Sequence, residues 1–287
     1  TELLNLMKDH LVGSKRSSGG SACNSIIAAS YFGANTYYSC RVADDENGQF
    51  FHHDTQAAGV TTRAIDLPHG TTGKCLVMIT PDAERTMNTF LGISETLSSI
   101  DLDADAITQS EYLYLEGYLV TSPTGKNAAI EARKFAEESG VKTAISLSDP
   151  GMVQFFGEGL QEMIGDRVDL LFCNQDEAMG WTKADSLDEA VEKMKNSAST
   201  FAITLGKEGA LVFDGHTVER VAGESVTAID TNGAGDMFAG AFLYAITQGH
   251  SYAKAAKMAN HAASKVVAQY GPRLKPEQHE AIKAVLV

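Results

Sequence analysis

The chain has 287 residues, 44 % hydrophobic and 21 % charged, enough for one large α/β domain or two unequal ones and too apolar for wholesale disorder. The formal net charge of −14 argues against non-specific binding to nucleic acid or to an anionic membrane. A phosphate-bearing ligand stays open, because backbone N–H groups bind anions without Lys or Arg.

Residues 1–11 place Leu3, Leu4, Leu6, Met7 and Leu11 mostly on one face of an amphipathic helix. Residues 21–33 read as a helix closed by Gly33, and residues 35–42, rich in Tyr and Thr, as a strand. The acidic turn at 44–48 leads into a helix over about residues 48–58. Residues 73–80 and 85–90 predict two strands joined by a turn at 81–84, a hairpin that can project as a small flap. From residue 112 the pattern alternates. Strands are expected at 112–116, 142–147, 169–173, 201–205 and 210–213, with helices at 124–139, 151–164 and 186–197. Such alternation implies right-handed βαβ units and a mostly parallel sheet. Residues 234–248 and 251–269 are Ala-rich and helical in period.

Cys23, Cys40, Cys75 and Cys173 show no C-x-x-C spacing and read as free thiols of a cytoplasmic protein. No apolar run of spanning length and no secretory signal occurs. The first residue is Thr1 rather than Met, so further N-terminal sequence is expected.

The segment AIDTNGAGDMFAG (residues 228–240) runs from a glycine-rich turn straight into an apolar helix. Gly233 and Gly235 lack Cβ, so the backbone can approach a ligand closely. The first helical turn leaves N–H groups unpaired at the positive end of the helix dipole. The amides of Gly233, Ala234 and Gly235 therefore form a candidate anion hole for a transferring phosphoryl group. Asp236, at the same end, can accept a proton from an attacking hydroxyl. On pattern alone a simple capped helix also fits. No G-x-x-x-x-G-K-[ST] motif occurs, which disfavours a P-loop NTPase, and no G-x-G-x-x-G follows an early strand, which disfavours a dehydrogenase.

DTNGAGDMF resembles the C-terminal signature of the ribokinase/PfkB kinase family, which includes adenosine kinases. Three further segments agree, in the family's order. GGSACN (residues 19–24), followed by Gly33 and the acidic turn, is similar to the N-terminal signature, which implies that Gly19, Gly20 and Asn24 hold substrate hydroxyls. NQDE (residues 174–177) resembles the family's N-x-x-E element. The resemblance implies that Asn174 lies by the nucleotide and that Glu177 orients Mg²⁺ through water, as an oxygen-seeking cation requires. TLGKEG (residues 204–209) resembles a turn whose Thr204, Gly206 and Gly209 contact the nucleotide. Taken singly, Asn24 reads equally as a polar helix start, Glu177 as an exposed acidic first turn, and the last segment as a plain strand–turn–strand.

Two more positions carry over. Glu116 falls at a strand end where the family uses a substrate-side glutamate, against a surface carboxylate at a sheet edge as the other reading. Asn260 falls on the helix that packs the nucleotide base, or else on an ordinary polar helix face. Asp230 and Asn232 match positions that bind K⁺ in some relatives, and Asn232 also faces the nucleotide by resemblance.

The resemblance implies a ribokinase-like three-layer α/β sandwich with a mainly parallel central sheet and a small β lid. Residues 1–20 and 71–92 would form the lid and its connections, and residues 21–70 and 93–287 the large domain. Two departures stand out. Nothing before Gly19 matches the family's first strand and its substrate-gripping aspartate, so part of the lid and that strand are expected to be missing. Arg41-Val-Ala43 replaces a more usual Gly-x-Val-Gly. The implied activity is Mg²⁺-dependent transfer of the ATP γ-phosphate to a nucleoside hydroxyl. Segments 18–22, 85–89, 115–118 and 269–274 look most like bacterial adenosine-kinase-like members. The alternatives are a free sugar such as ribose or fructose, and a non-catalytic nucleotide- or sugar-binding relative. Retention of Asp236 and Glu177 argues against the latter. The expected partner is a small molecule, with no nucleic acid or membrane, in a monomer or homodimer.

Overall fold

The computed structural model describes residues 15–63, 67–79 and 85–286. The helix expected at 1–11 and the turn expected at 81–84 lie outside the described residues.

Helix α1 (Ser21–Phe32) starts after Gly20 at φ 98° and ends on a left-handed Gly33. The strand expected over 35–42 shortens to β1 (Tyr37–Tyr38), the two residues that find ladder partners, Thr61 and Thr62, among the described residues. Helix α2 (Glu46–Ala57) starts two residues before its expected position. The Asp45 carboxylate accepts from the Gly48 N–H at 2.8 Å and caps it there. It leads to β2 (Thr61–Thr62), parallel to β1. Strands β3 (Lys74–Ile79) and β4 (Arg85–Phe90) pair antiparallel from Lys74↔Phe90 to Ile79↔Arg85 and form a sheet of their own.

A short helix α3 (Ala104–Thr108) precedes β5 (Tyr112–Glu116). There follow α4 (Pro123–Glu138), β6 (Lys142–Ser146), α5 (Pro150–Ile164), β7 (Val168–Asn174), α6 (Gln175–Thr182), α7 (Leu187–Met194), β8 (Ala198–Thr204), β9 (Gly209–Phe213) and β10 (Val218–Ala222). Helices α8 (Ala234–Thr247), α9 (Tyr252–Val267) and α10 (Pro276–Lys283) close the order. Strands β5 to β8 are parallel neighbours, and β9 and β10 add on antiparallel. Strand β10 lacks the pattern that reveals a strand, because both its faces are largely exposed and no apolar alternation is needed.

Period-2 alternation divides the core between the two sheet faces. Ala144, Leu170, Phe172, Ala202 and Val212 pack under α1, α8 and α9, whereas Ile145, Leu171, Phe201, Ile203 and Leu211 pack under α5, α6 and α7. Full burial of each large side chain contributes roughly 1.5–3 kcal/mol. The result is three layers, helix on sheet on helix. Among the described residues no helix is long and apolar enough to cross a membrane.

Two features position the site. Parallel strands end on the same side, so β5 to β8 deliver Glu116, Ser146, Asn174 and Thr204 to one edge, with Glu116↔Ser146 and Asn174↔Thr204 in register. Helices α1 and α8 also run alongside each other in the same direction. Asp236 meets Ser21 and Asn24 at one end, and Tyr244 stacks on Phe32 at the other. Gly240 permits this approach, since a Cβ there would stand 2.3 Å from the Ser25 carbonyl oxygen. Both helix N-termini, the positive ends of their dipoles, thus arrive together at the strand ends.

Candidate active site

These ends line one cleft, together with side chains of the β3–β4 hairpin. Asp236 occupies the first turn of α8. Ser21 Oγ donates to its Oδ1 at 2.6 Å and Asn24 Nδ2 donates to its Oδ2 at 2.8 Å. Ser21 and Asn24 are three residues apart on α1 and share a face. Asn24 is buried, so it is no ordinary polar helix start.

The two glycines before Asp236 serve different ends. Gly233 sits at φ 79°, and a Cβ on it would lie 2.5 Å from Pro272 Cβ, so the fold requires glycine there. Gly235 has no positive φ and nothing within 4 Å of an added Cβ. What its missing side chain leaves is space in front of the helix N-terminus. Gly19 leaves similar open space beside Gly20. The buried Asp230 carboxylate anchors the turn, accepting from Asn232 N and Gly271 N, each at 2.9 Å.

Glu116 is 6 % exposed, which removes the reading as a surface carboxylate. Tyr114 Oη donates to it at 3.2 Å, as does the hydroxyl of Ser148. Ser148 holds φ at 74°, a strained value for a non-glycine residue, and in that conformation its hydroxyl reaches Glu116. Burial first, and the nearby Asp236 charge second, push the Glu116 carboxyl up to about 7, against hydrogen bonds from Ser148, Ser21 and Tyr114.

Glu177 and Asn174 form a reciprocal capping box at the start of α6. Asn174 N and Nδ2 donate to the carboxylate at 3.0 and 2.6 Å, and Glu177 N donates to Asn174 Oδ1 at 2.8 Å. Glu177 is 4 % exposed rather than standing on an open helix start. Burial raises its carboxyl to about 7, with the charges of Asp149 and Asp176 adding to the shift. A buried carboxylate of this kind is relieved by a neighbouring cation. Among the described residues no cluster of three or more His, Cys, Asp or Glu forms a metal cage.

Thr204 and Asn232 line the same cleft, whereas Gly206, Gly209 and Asn260 stand outside its lining. A Cβ on Gly209 would lie 2.1 Å from the Val221 carbonyl oxygen, a backbone reason for glycine. Asn260 Nδ2 donates to the carbonyls of Val221 and Ala222 at 3.1 and 3.2 Å and pins the end of β10 to α9.

The profile of the pfkB family of carbohydrate kinases matches residues 10–279. The chain belongs to the pfkB family. Its fold is ribokinase-like, and it is a phosphotransferase with an alcohol group as acceptor. A probable sugar kinase from Rhizobium etli CFN 42 is 32 % identical, with a TM-score of 0.91 over 100 % of this chain and 88 % of that one. An adenosine kinase from Sinorhizobium meliloti is 34 % identical, with a TM-score of 0.90 over 99 % of this chain and 88 % of that one. An adenosine kinase from Dictyostelium discoideum is 28 % identical over 82 % of this chain and 73 % of its own length. The relatives' names thus divide between a nucleoside and sugars.

In this pfkB kinase several groups at the site carry no motif of their own. Ser21 follows the paired glycines but belongs to no spacing rule. Ser148 reaches Glu116 only through its left-handed backbone. Pro272 and Arg273 belong to segment 269–274, whose likeness to relatives carries no role by itself.

Proposed function

We propose that this kinase transfers the γ-phosphate of ATP to a hydroxyl of a nucleoside of adenosine-like shape. The observation that carries the chemistry is Asp236, positioned by Ser21 and Asn24 at a helix N-terminus in front of which Gly235 keeps space open. The acceptor hydroxyl attacks phosphorus in line, its proton passes to Asp236, and ADP leaves with the electrons of the broken P–O bond. The amides of Gly233, Ala234 and Gly235 hold the charge that develops on the transferring group. Gly19, Gly20, Asn24 and Glu116 hold the acceptor's hydroxyls. Asn174, Thr204, Asn232 and Gly235 face the phosphates, and the nucleotide extends toward Gly206, Gly209 and β10, which Asn260 holds in place. Mg²⁺ bound with the nucleotide would supply neutralisation of phosphate charge, and Glu177 would be the residue that helps hold it. Each Asp230 oxygen accepts one backbone N–H and keeps a lone pair, so Asp230 and Asn232 could help hold K⁺ here, and no step depends on it.

A nucleoside is favoured over a free sugar by the hairpin. It lines the cleft with Leu76, Met78 and Phe90 of one face, apolar side chains suited to a purine ring, and with one amide on that face, Asn88. The 34 % identical adenosine kinase supports the same choice. The hairpin and its connections over residues 71–92 would close as the lid and exclude water. A free sugar is the second reading, favoured by the hydroxyl-binding set Asn24, Glu116 and Asp236, which either acceptor can use. ATP consumption measured with adenosine, inosine, guanosine, ribose and fructose tests the assignment. Adenosine should give the highest kcat/KM. A free sugar giving the highest value would transfer the assignment to it.

A further inference from the structure

Arg273 joins the two signature segments from a loop that belongs to neither. It follows α9, and its side chain is 14 % exposed. Nη1 donates to Asp54 Oδ2 at 3.0 Å, and Nη2 donates to the Ser18 carbonyl and, at 2.8 Å, to Ser18 Oγ. Ser18 N donates in turn to Asp54 Oδ2 at 2.9 Å. The arginine therefore clamps the residue that precedes Gly19 and Gly20. Its remaining donor, Nε, points to Asn24 Oδ1 at 3.4 Å across 249 residues of sequence.

That last contact has a chemical consequence. An asparagine amide has one accepting and one donating end and can be turned either way. With Oδ1 directed at a guanidinium, Nδ2 must face Asp236. The opposite orientation would set Oδ1 against a carboxylate and Nδ2 against a cation, repulsive on both sides. The neighbours of Arg273 brace the other segment: Pro272 packs on Gly233, and Gly271 N is held by Asp230.

We propose that Arg273 is a positioning residue, which fixes the Asn24 amide so that it donates to Asp236 and holds the 18–20 turn in register with the 230–236 turn. The proposal rests on Asp236 acting as the base.

Arg273→Lys keeps a cation opposite Asp54 but has no Nε for Asn24. Its kcat should fall about tenfold, the scale of one charge-assisted hydrogen bond, while KM for ATP changes by less than about twofold. In an Asn24→Ala background the same change should reduce kcat by less than about threefold, because the group it acts through is gone. Equal losses in the two backgrounds would show a purely structural arginine and overturn the proposal. A second readout needs no substrate. The Asn24 side-chain amide signals, identified by their disappearance in Asn24→Ala, should shift in ¹⁵N spectra of ligand-free Arg273→Lys and of Arg273→Gln. Signals unmoved in a folded variant overturn the proposal as well. A protein inactive on every acceptor would defeat the nucleoside assignment, and the spectra would still decide the role of Arg273.

Discussion

Asn24 Nδ2 donates to Asp236 Oδ2 at 2.8 Å, across 212 residues of sequence. The bond joins the first turns of two helices that run side by side, and with Ser21 it fixes the carboxylate one residue after the open space at Gly235. Asp236→Asn keeps the shape and removes the base. Its kcat should fall by about 10²–10⁴, the usual worth of general-base catalysis, with ATP affinity within a few-fold of wild type. Steady-state kinetics and calorimetric titration with a non-hydrolysable ATP analogue check the two halves. Near-normal turnover would end the assignment of Asp236.

The neighbouring glycines should separate folding from catalysis. Gly233→Ala forces a Cβ into Pro272 at a positive φ, and should lower stability by roughly 1–3 kcal/mol. Gly235→Ala meets neither obstacle, so its melting temperature should stay close to wild type while kcat falls about 10² from intrusion on the phosphoryl space. Thermal melts and kinetics on both variants decide this. If Gly235→Ala turned over normally, its space would not be the phosphoryl position.

Glu116 imposes a pH dependence on the ligand-free protein. Its carboxyl lies at about 7 in the folded state, against about 4.3 when unfolded. The folded form holds the proton longer. The group therefore contributes stability that is fully present below the unfolded value and is lost as pH rises through about 7, on the order of 3 kcal/mol in all. Asp54, held low by Ser18 and Arg273 against its own burial, acts in the opposite sense and in a more acidic range. Glu177, also raised to about 7, acts in the same sense over the same range, so melting temperatures of wild type should decline between about pH 5 and 7.5 and Glu116→Gln should remove about half of that decline. An equal slope in the variant would contradict the buried, protonated Glu116.

Glu177 should report the cation. Near pH 7 its carboxyl is partly protonated in the ligand-free protein. A divalent ion arriving with ATP favours the ionised form, so Mg²⁺–ATP binding at pH 7 should release on the order of half a proton. Calorimetry in two buffers of different ionisation enthalpy measures the release. Glu177→Gln should abolish it, and undiminished release from that variant would place the titrating group elsewhere.

The catalytic turn and the parallel core were legible in the residue order for definite reasons. A glycine-rich turn before an apolar helix marks its own N-terminus at 230–236, and the alternation of strand and helix from residue 112 carries the period of each element. The failures are equally physical. Strand β10 exposes both faces and so has no pattern to read. The segment 35–42 has strand composition, but pairing is a property of the partner as well, and among the described residues only Tyr37 and Tyr38 meet one.

By itself the sequence determined most of the longer elements, the Gly33 stop and the four kinase segments, because these depend on neighbours a few residues apart. The tertiary structure decided what those segments face. Ser21 and Asn24 meet Asp236 because Gly240 lets two helix backbones approach, and Glu116 becomes a buried acid because its strand ends beside them. Arg273 reaches Asn24 from the far end of the chain. Such contacts depend on how helices cross and where parallel strands stop, which hydrophobic period and local capping do not encode.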